Sequence, residues 1–154
     1  VMRLCKELRR RRPDIVFGAD LIAGFPTETE QAHLSSLALI EQAELSHLHV
    51  FSYSDREGTP ATKMPKTDPS DIRRRASALR EAGKKQYEKL LANHLNKPDE
   101  ILLEKSNQGY LRNFIRVNLS HHELLPSGHF HKVKITQAHS NGNDTPSVIA
   151  ELVE

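Results

Sequence analysis

Asp14-Ile15-Val16-Phe17-Gly18-Ala19-Asp20-Leu21-Ile22-Ala23-Gly24-Phe25-Pro26-Thr27-Glu28-Thr29-Glu30 passes from a nearly continuous apolar run into a segment of hydroxyls and acids. The apolar part suits a strand covered on both faces, as in parallel sheets. Gly24 and Pro26 end it. Thr27 and Glu30 then match the Thr-x-x-Glu box, whose hydroxyl and carboxylate satisfy orphan amides at a helix start. The helix that follows is expected to face inward with Leu34, Leu37 and Ile40, supported by Ala38 and Ala43. Over residues 46–53, Leu48, Val50 and Ser52 alternate with His47, His49, Phe51 and Tyr53, the period of a strand. Strand, helix and strand in this order predict a βαβ unit with a parallel pair.

Upstream, Val1, Leu4, Cys5 and Leu8 form an apolar helical stripe that Pro13 stops. Downstream, residues 54–67 are a loop rich in Gly, Pro and Thr. Asp68-Pro69-Ser70-Asp71 then supplies a cap, a first-turn Pro and first-turn acid. The helix so started is expected to reach about residue 95, with Ile72, Ala76, Leu79, Gly83, Leu90 and Leu91 inward and basic side chains elsewhere. Asn96-Lys97-Pro98 breaks it. Short β-type runs follow at 101–104, 114–119, 131–136 and 148–153, punctuated by turn clusters at 107–109, 126–128 and 140–144. The fold class expected is therefore α/β (residues 1–97) followed by a small all-β barrel (98–154), with the boundary near Pro98.

At 154 residues the chain fits one domain or two small modules. Its hydrophobic share of 37% implies a thin core, completed in part by other chain or a partner. A single cysteine excludes a disulfide framework and any Cys-only metal or iron–sulfur site. No apolar run approaches the ~18 residues that span a bilayer, and no signal-peptide pattern opens the sequence, so a cytoplasmic location is expected. Val1 falls within a helical pattern, which suggests the end of a longer polypeptide. A net charge of +2 conceals two basic blocks: residues 1–13 carry six basic side chains against one acidic, and residues 63–97 ten against four. Such blocks suit a polyanion or simply form solvated helix faces.

Two segments could carry chemistry. Residues 20–28 lie at a strand's C-terminal end and run into a helix, the edge where α/β folds bind ligands. Gly24 would let a ligand approach the backbone, and free amides would favour an anion. An empty, well-capped junction satisfies the same pattern. Residues 49–61 bring aromatic and hydroxyl side chains to that edge, with Arg56 suited to phosphate or carboxylate; a polar loop with Tyr53 packed at the core's margin is the alternative. His121-His122 and His129-x-His131 read as exposed turns, and no metal site is expected from them. Cys5 reads as core.

The order of residues carries more. Asp20-x-Ile22-x-Gly24-Phe25-Pro26-x-Glu28-Thr29-Glu30, followed by His49-Val50-Phe51-x-Tyr53-Ser54-x-Arg56-x-Gly58-Thr59-Pro60-Ala61, resembles the radical S-adenosylmethionine tRNA methylthiotransferases. The second segment is most similar to the branch acting on threonylcarbamoyladenosine. Glu104-Lys105, Gly109-Tyr110, Phe114-x-x-Val117, and Gly128 leading to Val133-x-Ile135 resemble the RNA-binding TRAM domain. The resemblance implies the C-terminal part of a radical (β/α) partial barrel joined to a TRAM β-barrel. It further implies S-adenosylmethionine and two [4Fe–4S] clusters as cofactors and tRNA as partner. Reductive cleavage of the sulfonium gives a radical that takes hydrogen from adenine C2, where a methylthio group is installed. Cofactor contacts would fall to Asp20, Ile22, Gly24, Pro26, Glu28, Tyr53 and Ser54. Asp20 stands where the wider superfamily often has Gly, and Thr27 where Gly is common. RNA contacts would fall to Arg56, to Arg73, Arg74, Arg75, Arg80, Lys84 and Lys85 of the basic helix, and to Tyr110, Arg112 and Phe114. The family's Cys-x3-Cys-x2-Cys is absent, so no catalytic residue is expected in this chain and alone it should be inactive. The alternative is a non-catalytic RNA-binding module of TRAM domain and basic helix.

Overall fold

A computed structural model describes residues 1–105, 107–120, 125–139 and 147–153, with only the backbone at 139. It divides into two compact units, Val1–Tyr87 and Glu88–Glu154. No helix among the described residues is long and apolar enough to cross a membrane.

The first unit contains α1 (Met2–Arg11), β1 (Phe17–Ala23), α2 (Glu30–Gln42), β2 (Leu45–Ser52), a 3₁₀ turn (Pro60–Lys63) and most of α3 (Pro69–Ala92). As the βαβ pattern predicts, β1 and β2 pair in parallel, with Ala19 opposite Leu48, Leu21 opposite Val50 and Ala23 opposite Ser52. Phe17, Ala19, Leu21, Leu48 and Val50 pack on a core of Cys5, Ala23, Ile40, Ala43, Leu45, Ala76 and Leu79. The other face is not covered: Gly18, Asp20, Ile22, His49 and Phe51 are exposed. The expectation of a strand buried on both faces is thus corrected. All three helices contribute to the core on one side, and an apolar run cannot by itself say how many sides are covered.

Several helical details also differ. The cap of α2 is Thr29, whose hydroxyl accepts the Ala32 N–H at 3.1 Å, in place of Thr27. Starting there, α2 buries His33 and Ile40, and Leu37 packs on the core, while Leu34 is half exposed. In α1, Cys5 is buried and Met2 packs beside it; Val1 and Leu4 face outward. The start of α3 matches expectation: the Asp68 carboxylate accepts the Ser70 N–H at 2.7 Å, and Pro69 opens the helix. Ala76, Leu79, Gly83 and Leu91 are buried as predicted, and so are Arg75, Gln86 and Tyr87. The helix ends at Ala92, short of residue 95.

In the second unit, β3 (Pro98–Lys105), β4 (Gln108–Leu111), β5 (Arg116–Leu119), β6 (Phe130–His139) and β7 (Ser147–Leu152) close a barrel in the order β3-β4-β5-β7-β6. Every pair is antiparallel except β5–β7, which is parallel. Ile101, Leu103, Leu111, Ile115, Val117, Val133, Ile135, Val148 and Ala150 are buried. The small all-β barrel is as expected, but the cluster at 107–109 is not merely a turn. Gln108 and Gly109 open β4, and a Cβ on Gly109 would fall 2.0 Å from the Leu102 carbonyl oxygen. Gly109 therefore serves close strand approach as well as punctuation. Phe114 lies outside β5, at φ +63° and 73% exposed. His121, His122 and the cluster at 140–144 lie outside the described residues.

Candidate functional site

Just beyond the pair of Ala23 and Ser52, the Tyr53 N–H donates to the Ala23 carbonyl at 2.8 Å. The loops after β1 and β2 therefore leave from one sheet edge. Phe25 and Tyr53 meet there edge to face, their ring centroids 5.4 Å apart. On the open face, Ile22 lies opposite Phe51 and Asp20 opposite His49. Ile22 is 59% and Phe51 55% exposed, a contiguous apolar pair beside a carboxylate. Phe51 was not singled out from sequence as a contact; the alternation in β2, once registered on β1, identifies it.

The residues of the first motif divide into two sets. Asp20 and Ile22 face outward, whereas Gly24 and Glu28 are turned into the fold. Gly24 has φ +78°, and a Cβ there would lie 2.5 Å from Ile72 Cγ1, so the space beside it is taken by α3. Its N–H is also taken, donating to Glu28 Oε2 at 2.6 Å. The Cβ side of Gly24 is thus packed against α3, and its amide serves Glu28. Pro26 is half buried, and Ser54 and Arg56 are exposed in their loops.

Arg75 departs furthest from expectation. It is 6% exposed, and its Nη1 donates to the Glu28 carbonyl at 2.7 Å and to Glu28 Oε2 at 3.1 Å. Nη2 reaches Glu30 at 3.2 Å. Facing the core side of α3, Arg75 is not available as an outward phosphate ligand. Arg74 forks both oxygens of Glu30, at 3.2 and 2.9 Å, and also bonds Asp71. These bonds, Arg74's above all, hold the Glu30 carboxyl at about 2, well below the usual carboxylate value. The buried His33 places Nδ1 3.9 Å from Glu28 Oε1. Arg73 and Lys85 remain exposed, Lys84 is half buried, and exposed Arg80 donates to the Val50 carbonyl at 3.0 Å.

Tyr53 donates its hydroxyl to Asp55 at 3.0 Å, and Asp55 also pairs with Lys66. Local burial first, then the bond to Asp55, push the Tyr53 hydroxyl up, while Lys66 holds Asp55 low. The Tyr53 phenol is thereby committed to its own loop.

The barrel carries a second feature. Leu102 lies opposite Phe130 on one side and Tyr110 on the other, and Tyr110 lies opposite Arg116. All four are exposed, so one row across β6, β3, β4 and β5 reads Phe130, Leu102, Tyr110, Arg116. Adjacent strands stand ~4.8 Å apart, which makes such a row continuous. Arg112 pairs with Glu100. The sequence pointed to Tyr110 but missed Phe130, Leu102 and Arg116, because only strand register joins them.

Chemically, Ile22 and Phe51 offer contact to a flat apolar ring, and Asp20 a counter-charge to a cation. The open face thus suits a flat apolar group that carries a positive charge. Iron–sulfur clusters do not fit this chain's residues. Cys5 is its only cysteine and is buried on α1, and the described residues contain no group of three His, Cys, Asp or Glu able to hold a metal.

No protein-family profile matches the chain. It is 43% identical over 136 residues to a threonylcarbamoyladenosine tRNA methylthiotransferase of Rickettsia prowazekii, covering 88% of this chain and 32% of that protein. To a probable threonylcarbamoyladenosine tRNA methylthiotransferase of Methanocaldococcus jannaschii it is 32% identical over 140 residues, 90% of this chain and 32% of that one. A tRNA-2-methylthio-N(6)-dimethylallyladenosine synthase of Bacillus cytotoxicus is 31% identical over 160 residues, 99% of this chain and 30% of its own length. The chain spans about a third of the length of these curated relatives.

Proposed function

The chain belongs to the tRNA methylthiotransferase family, and on that premise we propose that it is the C-terminal portion of a radical S-adenosylmethionine enzyme adding a methylthio group to C2 of N6-threonylcarbamoyladenosine in tRNA. Residues 1–97 would complete the radical barrel, and residues 98–154 would be its TRAM domain. The observation that carries the reading is the open sheet face, where Ile22 and Phe51 stand side by side, Asp20 next to them, at the edge from which both motif loops depart. Ile22 and Phe51 would take the adenine ring by apolar contact, and Asp20 would face the cationic end. Pro26, Tyr53 and Ser54 would line the edge, with Gly24 and Glu28 setting its backbone. Bound beside a reduced [4Fe–4S] cluster, S-adenosylmethionine would supply the radical chemistry at C2, and the cluster's cysteines would come from polypeptide outside this chain. Without them the chain would not be active alone.

For tRNA, the exposed cations Arg56, Arg73, Arg80 and Lys85, with half-buried Lys84 beside them, would neutralise phosphates, which favours binding through counterion release. Arg74 would contribute from its place in the Glu30 pair. On the barrel, Tyr110, Phe114 and Arg112, together with Phe130 and Arg116, would take unpaired bases by stacking and charge. A tRNA substrate implies a cytoplasmic enzyme. The test is to reconstitute the full-length protein containing this chain with iron and sulfide and supply tRNA bearing threonylcarbamoyladenosine. Mass spectrometry of the nucleosides should show the 2-methylthio derivative. Tight tRNA binding with unmodified nucleoside, in a cluster-loaded protein, would favour a non-catalytic RNA-binding module.

A further inference from the structure

We propose that Arg75 is a positioning residue for the cofactor edge, acting through the Glu28 carboxylate and the Gly24 amide on the backbone that presents Ile22. The inference rests on reading that edge as the S-adenosylmethionine site. Three observations carry it.

Arg75 and Glu28 are both largely buried, with side chains only 7% and 11% exposed. Charges so placed persist when they are paired and hydrogen-bonded, and removing one strands the other. The geometry of the bonds is directional as well. Arg75 grips the Glu28 carbonyl and carboxylate at once, and the same Oε2 accepts the Gly24 N–H at 2.6 Å. A guanidinium on α3 therefore fixes both ends of residues 24–28. Ile72, one turn before Arg75, fills the space beside Gly24. The helix thus holds this loop at two points, one by shape and one by charge. Finally, Ile22 and Phe51 are exposed, so their own side chains do not anchor the edge where they end, and the loop beyond is held from the α3 side.

Lysine keeps the charge at position 75 but has no planar fork, so Arg75→Lys separates charge from geometry. The test uses the cluster-loaded full-length enzyme and two readouts: equilibrium binding of S-adenosylmethionine, and hydrogen exchange of the amides of Gly24, Phe25, Thr27 and Glu28, Pro26 having none. Arg75→Lys should weaken binding about tenfold, the scale of losing a charge-assisted hydrogen bond, and speed exchange at 24–28. Glu28→Gln, nearly isosteric but uncharged, leaves the buried Arg75 charge without its partner at position 28 and should weaken binding and speed exchange at least as much as Arg75→Lys. Leu79→Ala, a core truncation in the same helix, serves as the stability control. It should lower the Tm while leaving affinity unchanged well below that temperature.

If the wild-type enzyme fails to bind S-adenosylmethionine, the functional reading and this proposal fall together. If wild type binds and Arg75→Lys matches it, the proposal alone falls. Weaker binding with unchanged exchange at 24–28 also overturns it, since the loop would not be what Arg75 controls. Leu79→Ala weakening binding as much as Arg75→Lys does would reduce Arg75 to a stability residue.

Discussion

Ile72 occupies the place a side chain at Gly24 would need, with Cγ1 2.5 Å from the position of a Cβ there. The loop that ends β1 and the first turn of α3 are thus matched in shape. Gly24→Ala meets two costs, about 1–3 kcal/mol for a non-glycine residue at positive φ and about 1–3 kcal/mol for overpacking. Ile72→Ala in the same chain should return part of the second. Urea unfolding of the single and double variants measures this, and the two substitutions should be non-additive.

The cap of α2 separates two threonines that look alike in sequence. Thr29→Ala should cost ~1 kcal/mol, since it removes the acceptor of the Ala32 N–H. Exposed Thr27→Ala should change stability by less than about 0.5 kcal/mol. Equal losses at the two positions would return the cap to Thr27.

Glu30 gives the first unit an acid-sensitive pair. Its folded value, near 2, lies below its usual 4.5, so the unfolded chain binds the proton more tightly. The stabilisation is therefore complete above about pH 4.5 and is lost as pH falls through about 2. Half-exposed Glu30 and Arg74 are screened by solvent, so the effect is modest and shrinks in high salt. Arg74→Ala should flatten stability against pH in this window, as read by denaturant midpoints. An unchanged pH profile would remove the pair from the acid response.

Two kinds of RNA contact should separate by salt. Arg73→Ala and Lys85→Ala should each reduce the slope of log K against log [salt] by about 0.7–0.9. Phe130→Ala and Tyr110→Ala should weaken binding by about 1–3 kcal/mol for each stacked base, leaving that slope unchanged. Filter binding or fluorescence anisotropy across a salt series distinguishes them. Retained affinity in a Phe130→Ala/Tyr110→Ala double variant would take the barrel row out of the interface.

The βαβ unit and the barrel were legible because their periods, 3.6 and 2, are imposed by backbone geometry and survive in any single sequence. What the sequence could not reveal depended on phase and register. Arg73, Arg74 and Arg75 are one residue type in a row, yet the turn of α3 sends the last inward and leaves the first in solvent. Counting from Ala76 and Leu79 would have indicated it, because residue 75 lies beside them on a helical wheel. Gly109 resembled turn punctuation because glycine marks both turns and close strand contacts. Phe130 and Tyr110 are 20 positions apart and become neighbours of Leu102 only when β3 is paired on both sides. The open face of β1 was hidden for another reason: apolar side chains suit a ligand as well as they suit a core.

β7 lies between β5 and β6, although it follows both in the chain. During synthesis, then, β3 through β6 leave the ribosome with a gap that only residues 147–152 can fill. Until that last segment emerges, two strands offer unpaired backbone to any passing polypeptide. Nascent chains halted or cut before Ser147 should be recovered with chaperones or in aggregates, whereas a stop placed after Leu152 should release a closed barrel.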